Sequence, residues 1–227
     1  MTELFRYDLN IQWRSGYWTV YGILGLIYIL ILINLPLVVR ADIIALMIFS
    51  DTSVIGLIFV GALILLEKQQ GVLQSFSVTP LKINSYLFSK ALSITILSAL
   101  VSSLIWLIPM HSFKGFLLLL AGVVLSSVVH TLFGIGFTAG AESFNQFLAR
   151  VFLGSMLLTG PLFPMIFFKG TEWMIIFPSN AFFDLLLGVV KGNTSLTSAV
   201  DLGVMMLWIY VMSRFAVARF RKFHLLS

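Results

Sequence analysis

Cysteine is absent from the 227 residues, and charged residues make up only 10% of them. Without cysteine the chain cannot form disulfides, use a thiol nucleophile or bind a metal through thiolates. A soluble domain of this length usually carries about 25% charged residues. The low charge therefore excludes an ordinary soluble fold.

Two further absences concern phosphate and metal chemistry. The sequence holds no G-x-x-x-x-G-K-[ST] loop that could cradle the phosphates of ATP, and no H-E-x-x-H zinc helix. The three histidines, His111, His130 and His224, are far apart along the chain. An enzyme inside a bilayer needs clustered ionisable groups, and only scattered ones are present. We therefore expect a chain that is not an enzyme, with no catalytic residues, metal site or cofactor of its own.

Apolar residues are abundant: 59% of the chain is hydrophobic, and its mean hydropathy is +1.05. A helix needs roughly 20 apolar residues to cross a hydrocarbon core of about 30 Å. Six segments meet this requirement: 18–39, 43–66, 86–108, 116–139, 147–168 and 199–218. A shorter stretch, 174–190, is broken by Pro178, Asn180 and Asp184 and is predicted to be re-entrant. The predicted fold is an all-α membrane domain over residues 1–227, with an outer re-entrant region at 169–192 before the sixth helix.

The basic residues predict the orientation of the helices. The net charge of +5 indicates contact with lipid headgroups rather than nucleic acid, because Lys and Arg lie mostly beside the apolar runs. If the N-terminus is cytoplasmic, ten Lys and Arg residues lie inside and four outside. The positive-inside rule then places both termini in the cytoplasm of a multi-pass protein of the cell (inner or cytoplasmic) membrane.

Residues 1–16 allow two interpretations. On a helical wheel Phe5, Leu9 and Trp13 share one face, which indicates an interfacial amphipathic helix. The stretch 7–14 also alternates polar and apolar residues, which is a strand pattern. Beside a membrane and without a partner strand, we favour the helix.

The cytoplasmic connection at 67–82 carries the strongest signal. Glu67 and Lys68 end the second apolar run, and Gly71 permits a tight bend. Apolar residues then follow where a simple loop should be polar, namely Val72, Leu73, Phe76 and Val78. Apolar anchors within a polar rim are typical of a docking site for another protein, although the same residues could rest on lipid headgroups. Thr79 suits an N-cap and Pro80 the first helical position, so a helix is predicted to begin there and run into the third span.

This connection resembles that of the ABC-2 type permeases, the membrane subunits of a class of ATP-binding-cassette exporters. The shared features are an acid, a Gly-x-Leu element, a Thr-Pro-Leu-basic element and a later Tyr-Leu with Lys. They stand here as Glu67, Gly71-Val72-Leu73-Gln74, Thr79-Pro80-Leu81-Lys82, Tyr86-Leu87 and Lys90. Gln69, Val72 and Gln74 depart from the family's usual acid, Thr and Glu. Together with the opening 8–17, the stretch looks most like small permeases for drug export, fluoroquinolones among them.

The resemblance implies a permease subunit that exports a small apolar or amphipathic compound. It implies two copies of a separate ABC ATPase subunit, which would hold ATP and Mg²⁺, and a second permease chain in a homo- or heterodimer. The ATPase-coupling residues would be Glu67, Gly71, Val72, Leu73, Phe76, Thr79, Pro80, Leu81 and Lys82. An ATPase-independent secondary transporter or channel, and a membrane scaffold that transports nothing, are the alternatives.

The translocation path is expected between the second and fifth spans. The resemblance implies that the fifth span lines this path, which would bring Met156, Thr159, Pro161 and Pro164 to it. Pro161 and Pro164 predict a kink that is structural or serves as a gate. Asp51 either lies within the bilayer near the path or caps a helix that begins at that point, with 43–49 in the outer interface.

Overall fold

The computed structural model describes residues 2–72, 82–192 and 196–224, and these residues form helices and no strand. The α-helices, in chain order, are α1 (Thr2–Arg14), α2 (Tyr17–Ile33), α3 (Leu37–Val54), α4 (Val60–Gln69), α5 (Ile83–Met110), α6 (Phe116–Thr138), α7 (Phe144–Thr159), α8 (Leu162–Phe167), α9 (Pro178–Val190) and α10 (Leu196–His224). A π-helical turn, Ile55–Phe59, joins α3 to α4, and a 3-10 helix, Glu172–Ile176, precedes α9.

The helices confirm the predicted membrane architecture. Within the described ranges, five segments are long and apolar enough to cross a bilayer: Val38–Gln69, Ile83–Met110, Phe116–Thr138, Phe144–Phe167 and Thr197–Lys222. α1 and α2, which are bent by 65° from each other, make a sixth if the pair is taken as one broken span. The bend falls at Gly16, whose φ of 78° favours glycine.

The N-terminal segment is helical, as predicted, but its face toward the protein is polar. The side chains of Asp8 and Gln12 are buried, whereas Trp13 is 68% exposed. Asp8 and Gln12 are one helical turn apart and both meet α5 through hydrogen bonds. The helical wheel separates apolar from polar residues, and it cannot show that a polar pair has partners in a helix about 80 residues away.

The boundary between the first two spans lies earlier than predicted. The apolar run continues to Val39, yet α2 ends at Ile33 and α3 begins at Leu37. Pro36 stands between them in an extended conformation, because proline cannot continue the hydrogen-bonded ladder of α2. The Arg40 guanidinium donates to the carbonyl oxygens of Ile33 and Leu35 and closes this turn.

The second span is one continuous rod from Val38 to Gln69, and it contains the π-helical turn. Asp51 lies in the interior of α3, fourteen residues after Leu37. The hypothesis that Asp51 caps a helix is therefore wrong: the α-helix passes through 43–49 without a break, so no unpaired helix N-terminus exists at Asp51.

The central helix α6 packs against α5, α9, α10 and the π-helical turn. Its contact with the π-helical turn is close because of glycine on both sides. A Cβ on Gly134 would lie 2.6 Å from the Leu57 carbonyl oxygen, and one on Gly56 would lie 2.9 Å from the His130 Cβ. Small residues allow such backbone approach between membrane helices.

The region 169–192, predicted to be re-entrant, contains the 3-10 helix and α9. At one end of α9, Ser179 meets His130, which lies well inside α6, with 3.4 Å between the hydroxyl and Nε2. At the other end, Lys191 pairs with Asp42 near the start of α3, at 3.4 Å. α9 therefore runs from the middle of the bundle to the end where α3 begins, without crossing the whole bundle.

Candidate functional site

Three charged side chains meet in the protein interior next to the 67–82 connection. Lys90 of α5 is fully buried, and its ammonium group donates to Asp8 of α1 at 2.5 Å and to Glu67 of α4. The two carboxylates are 2% and 1% exposed. Burial of charged groups is costly unless they are paired and hydrogen-bonded, and here one cation serves two anions.

Neutral donors complete the bonding of both carboxylates. The Tyr86 hydroxyl donates to the second oxygen of Glu67 at 2.6 Å, and the Ser89 hydroxyl donates to the second oxygen of Asp8 at 2.6 Å. Every carboxylate oxygen therefore has a donor, which compensates for the excess of one negative charge. We call Asp8, Glu67, Tyr86, Ser89 and Lys90 the charge cluster.

The charge cluster holds together the two ends of the connection. Glu67, the first residue of the connection, lies near the C-terminal end of α4. Tyr86 and Lys90 lie in the first two helical turns of α5, which follows the connection. At Gly71, φ is 73°, its N–H donates to the Lys68 carbonyl, and the next N–H donates to the Glu67 carbonyl. This is the Schellman arrangement that ends a helix through a left-handed glycine, and it confirms the bend predicted at Gly71.

Four of the predicted coupling residues are described: Glu67 is buried, Gly71 and Val72 are half-buried, and Lys82 is exposed. Leu73, Phe76, Thr79, Pro80 and Leu81 lie outside the described residues. Since Glu67 is enclosed by its internal partners, its carboxylate cannot also contact another protein.

The predicted entry into the third span is wrong. Lys82 is extended, with φ −74° and ψ 129°, and α5 begins at Ile83. A helix from Pro80 therefore does not run unbroken into the span. The extended backbone of Lys82 interrupts the helical path that the capping preferences of Thr79 and Pro80 predict.

A second turn, between α6 and α7, is bonded to the same region. The Lys68 ammonium donates to the Ala141 carbonyl at 3.0 Å, and the Arg150 guanidinium donates to the Gly140 carbonyl at 2.9 Å. Lys68 follows Glu67 directly, so the end of α4 contacts both α5 and the start of the fifth span.

A cleft of about 690 Å³ lies between the second span and α7. Its walls are largely apolar with a few hydroxyls, and they include Phe49, Ser53, Leu57, Phe152, Ser155 and Thr159. The Ser53 hydroxyl is buried and has no hydrogen-bond partner among the described residues. An apolar cavity with few polar groups is typical of a site for a small organic molecule.

The predicted path residues are only partly brought together. Thr159 lines the cleft. Met156 lies on the same helix with 56% of its side chain exposed. Pro161 precedes α8 and accepts a hydrogen bond from Asn180 at 3.0 Å, and Pro164 lies within α8 and accepts one from Thr171 at 3.3 Å.

Asp51 is 4% exposed and does not line the cleft. Its helix neighbours show why: Ser50 and Ser53 line the cleft, whereas Thr52 contacts Ser102 of α5 at 3.5 Å. One oxygen of the Asp51 carboxylate has no partner in the part of the chain that is described. The structure therefore separates Asp51 from Thr159, although both were expected near one path.

The charge cluster includes residues that site prediction from the sequence missed. The sequence pattern does not single out Asp8 or Ser89, and Tyr86 and Lys90 enter it only as parts of the family resemblance. A signal was present: Lys90 stands eight residues into a helix of membrane-spanning length, where a lysine needs an anionic partner. Among the described residues, no three His, Asp or Glu side chains converge to hold a metal ion.

Comparison with known proteins gives two findings. The sequence model of the Fluoroquinolones export permease protein family matches residues 1–226. Two relatives named fluoroquinolones export permease protein, from Mycobacterium tuberculosis strains CDC 1551 / Oshkosh and ATCC 25618 / H37Rv, are each 29% identical over 169 residues. These alignments cover 71% of this chain and 70% of each relative.

Proposed function

This chain belongs to the Fluoroquinolones export permease protein family, and from that membership we propose that it is the membrane subunit of an ATP-driven exporter. A separate ABC ATPase, in two copies, would bind ATP and Mg²⁺ and hydrolyse the nucleotide. Two permease chains would form the membrane part. The cargo would be a small apolar or amphipathic compound, and the names of the relatives indicate fluoroquinolones as the first to test.

The observation that carries this proposal is the charge cluster. A membrane subunit without a nucleotide site can be driven only through contact with its ATPase. Such contact would press on the 67–82 connection, whose two ends are joined by the hydrogen bonds that Tyr86 and Lys90 donate to Glu67. Because the ends are joined, a push on the connection would move α4 and α5 together and would carry α1 along through Asp8.

The cleft supports the choice of cargo. It opens between the second span and the fifth, the two helices that we propose line the path, and its largely apolar wall suits a drug-sized compound. The bond from Lys68 to Ala141 offers a route from the connection to the start of the fifth span. Motion at the connection could then widen or narrow the cleft.

The test is transport with defined components. The full chain and its candidate ATPase are expressed together, and inside-out vesicles are assayed for uptake of a fluorescent fluoroquinolone. We expect uptake that requires ATP and is lost when the ATPase carries a substituted Walker lysine. Uptake that needs no ATPase and follows an imposed proton gradient would instead establish a secondary transporter.

The role of the charge cluster is tested by the ratio of molecules transported to ATP hydrolysed. Glu67→Gln should lower this ratio, since the bond to Lys90 loses its charge while the side chain keeps its shape. Glu142→Gln, at an exposed acid in the α6–α7 turn, is the matched control and should leave the ratio unchanged. Equal ratios in both variants would show that the cluster only stabilises the fold.

A further inference from the structure

A second cavity, distinct from the cleft, lies between the third and sixth spans. Its volume is about 530 Å³, which is room for well over ten water molecules at about 30 Å³ each. Its wall includes Asn84 and Phe88 from the start of α5, and Ser213, Arg214, Ala218 and Arg221 from the second half of α10. We call it the arginine pocket.

The arginine pocket has the charge of an anion site. Arg214 and Arg221 are seven residues apart, so they share one face of α10 at a separation of two turns, about 10 Å. Both are exposed, and neither forms an ion pair with any residue that the structure describes. No carboxylate is among the described residues of its wall, so none of these residues neutralises the two guanidinium groups.

The start of α5 adds to the positive electrostatic potential of the arginine pocket. The helix is 28 residues long and begins at Ile83, next to Asn84 of the pocket wall, and Lys82 supplies no side-chain cap. The free N–H groups and the dipole at a helix N-terminus attract anions. Asn84 and Ser213 contribute further donors for phosphate or glycerol oxygens.

The rest of the wall is apolar. Phe88 lies one turn further along α5 from Asn84, and Ala218 stands between Arg214 and Arg221 on α10. A ligand with a charged head and an apolar body fits such a wall, whereas a free nucleotide has no apolar part to place against Phe88. At the membrane edge, basic pockets between helices bind anionic lipid headgroups.

We propose that the arginine pocket binds the phosphate-bearing headgroup of an anionic phospholipid from the cytoplasmic leaflet. The leaflet follows from the positive-inside rule, which predicts that both termini, and so the end of α10, are cytoplasmic. Arg214 would bind the phosphate at the deeper position and Arg221 at the shallower one, while the first part of an acyl chain lies along Phe88. The lipid would hold the third and sixth spans together beside the 67–82 connection.

The test measures lipid retained by the purified full chain. The protein is exchanged into detergent with phosphatidylglycerol or phosphatidylcholine, and native mass spectrometry records bound lipid during titration. We expect saturable binding of phosphatidylglycerol and little binding of phosphatidylcholine. Arg214→Gln with Arg221→Gln should weaken phosphatidylglycerol binding by about tenfold or more.

Two matched variants separate a pocket from general charge attraction. Arg6→Gln with Arg14→Gln removes the same charge from exposed positions on α1 and should change the affinity by less than about twofold. Ala218→Phe keeps every charge but fills the pocket, and it should weaken binding as much as the double arginine variant. Helix content and elution volume of each variant are checked first, so that only folded protein is titrated.

Several outcomes would overturn the proposal. Equal losses in the two arginine pairs would mean attraction by net charge alone, and normal binding by Ala218→Phe would mean that the lipid lies elsewhere. Competition by inorganic phosphate at concentrations matching those of the lipid would assign the pocket to a free anion. If the double variant of Arg214 and Arg221 loses ATPase association but binds lipid normally, the arginines contact a protein and not a lipid. Because lipid retention needs neither ATP nor cargo, a failure of the export proposal would leave this result intact.

Discussion

Replacing Lys90 by methionine would leave the Asp8 and Glu67 carboxylates buried together with no cation between them. Both acids are almost fully enclosed and both use Lys90 as their charged partner. Removing one partner of a buried ion pair costs about 3–5 kcal/mol, mostly because the remaining charge is uncompensated. For a chain of this size, each kcal/mol of lost unfolding free energy lowers the melting temperature by about 2–4 °C. We therefore expect the melting temperature of Lys90→Met to fall by about 6–20 °C.

The physical reason can be isolated by removing all three charges. The triple variant Asp8→Asn, Glu67→Gln, Lys90→Met has no uncompensated charge, and neutral replacement of a buried ion pair is often tolerated. It should recover at least about half of the stability that Lys90→Met loses. Lys191→Met is the matched control, because its ion pair with Asp42 is half-exposed and such pairs contribute about 0–1 kcal/mol.

The assay is thermal unfolding of the purified full chain in one detergent at one heating rate, since irreversible unfolding makes the apparent melting temperature depend on the rate. If Lys90→Met melts within about 4 °C of the unchanged protein, the cluster contributes little to stability. If the triple variant is as unstable as Lys90→Met, the loss comes from packing and not from unpaired charge.

Four further predictions address the connection, the cleft and the topology. Gly71→Val should cost about 1–2 kcal/mol in the same melting assay, because a φ of 73° strains a β-branched residue. Ser53→Val with Thr159→Val should raise the KM for a cargo that carries hydrogen-bond donors, measured in vesicle uptake, since both residues line the cleft. Leu73→Ala with Phe76→Ala should weaken ATPase association by about tenfold or more, measured by co-purification, because truncating interface anchors costs over about 1 kcal/mol each. Reporter fusions at the C-terminus should be active only in the cytoplasm.

Each of these has a control and a contradicting outcome. Gly22→Ala, in an open helical position, should not lower the melting temperature. If Gly22→Ala and Gly71→Val lower the melting temperature equally, backbone strain at Gly71 is not the cause. Ser103→Val, outside the cleft, should leave the KM unchanged. A change in KM equal to that of the cleft variant would show that the cargo does not bind in the cleft. Gln70→Ala should leave ATPase association intact, whereas unchanged association in the Leu73 and Phe76 variant would make the connection a simple linker. A periplasmic reporter signal would show that the predicted orientation is wrong.

The positions of the membrane helices were predictable because they depend on local properties. Length and apolarity decide whether a segment can cross the bilayer, and the bound at Phe116 agrees with the prediction. The bend at Gly71 was also predictable, since a left-handed helix end requires glycine and little else. The early end of the first span was missed because apolarity continues past Pro36, where the proline interrupts the helix.

The candidate sites were less predictable because they depend on which residues meet. The sequence allows Asp51 to be either a path residue or a cap, and the structure places it inside α3 on a side that does not line the cleft. Asp8 belongs to a segment predicted to lie at the membrane surface, but its side chain is buried against α5. Neither position can be read from a helical wheel, which shows the faces of one helix and not its neighbours.

The sequence by itself therefore determined that this is a six-span, all-α membrane protein, with a re-entrant region before the last helix and an unusual connection at 67–82. The tertiary structure alone decided that Asp8 and Lys90, 82 residues apart, share a buried ion pair with Glu67. The physical reason is the range of the interactions. Crossing a bilayer is a property of about 20 consecutive residues, whereas a buried charge is stable only if the fold brings its partner to it.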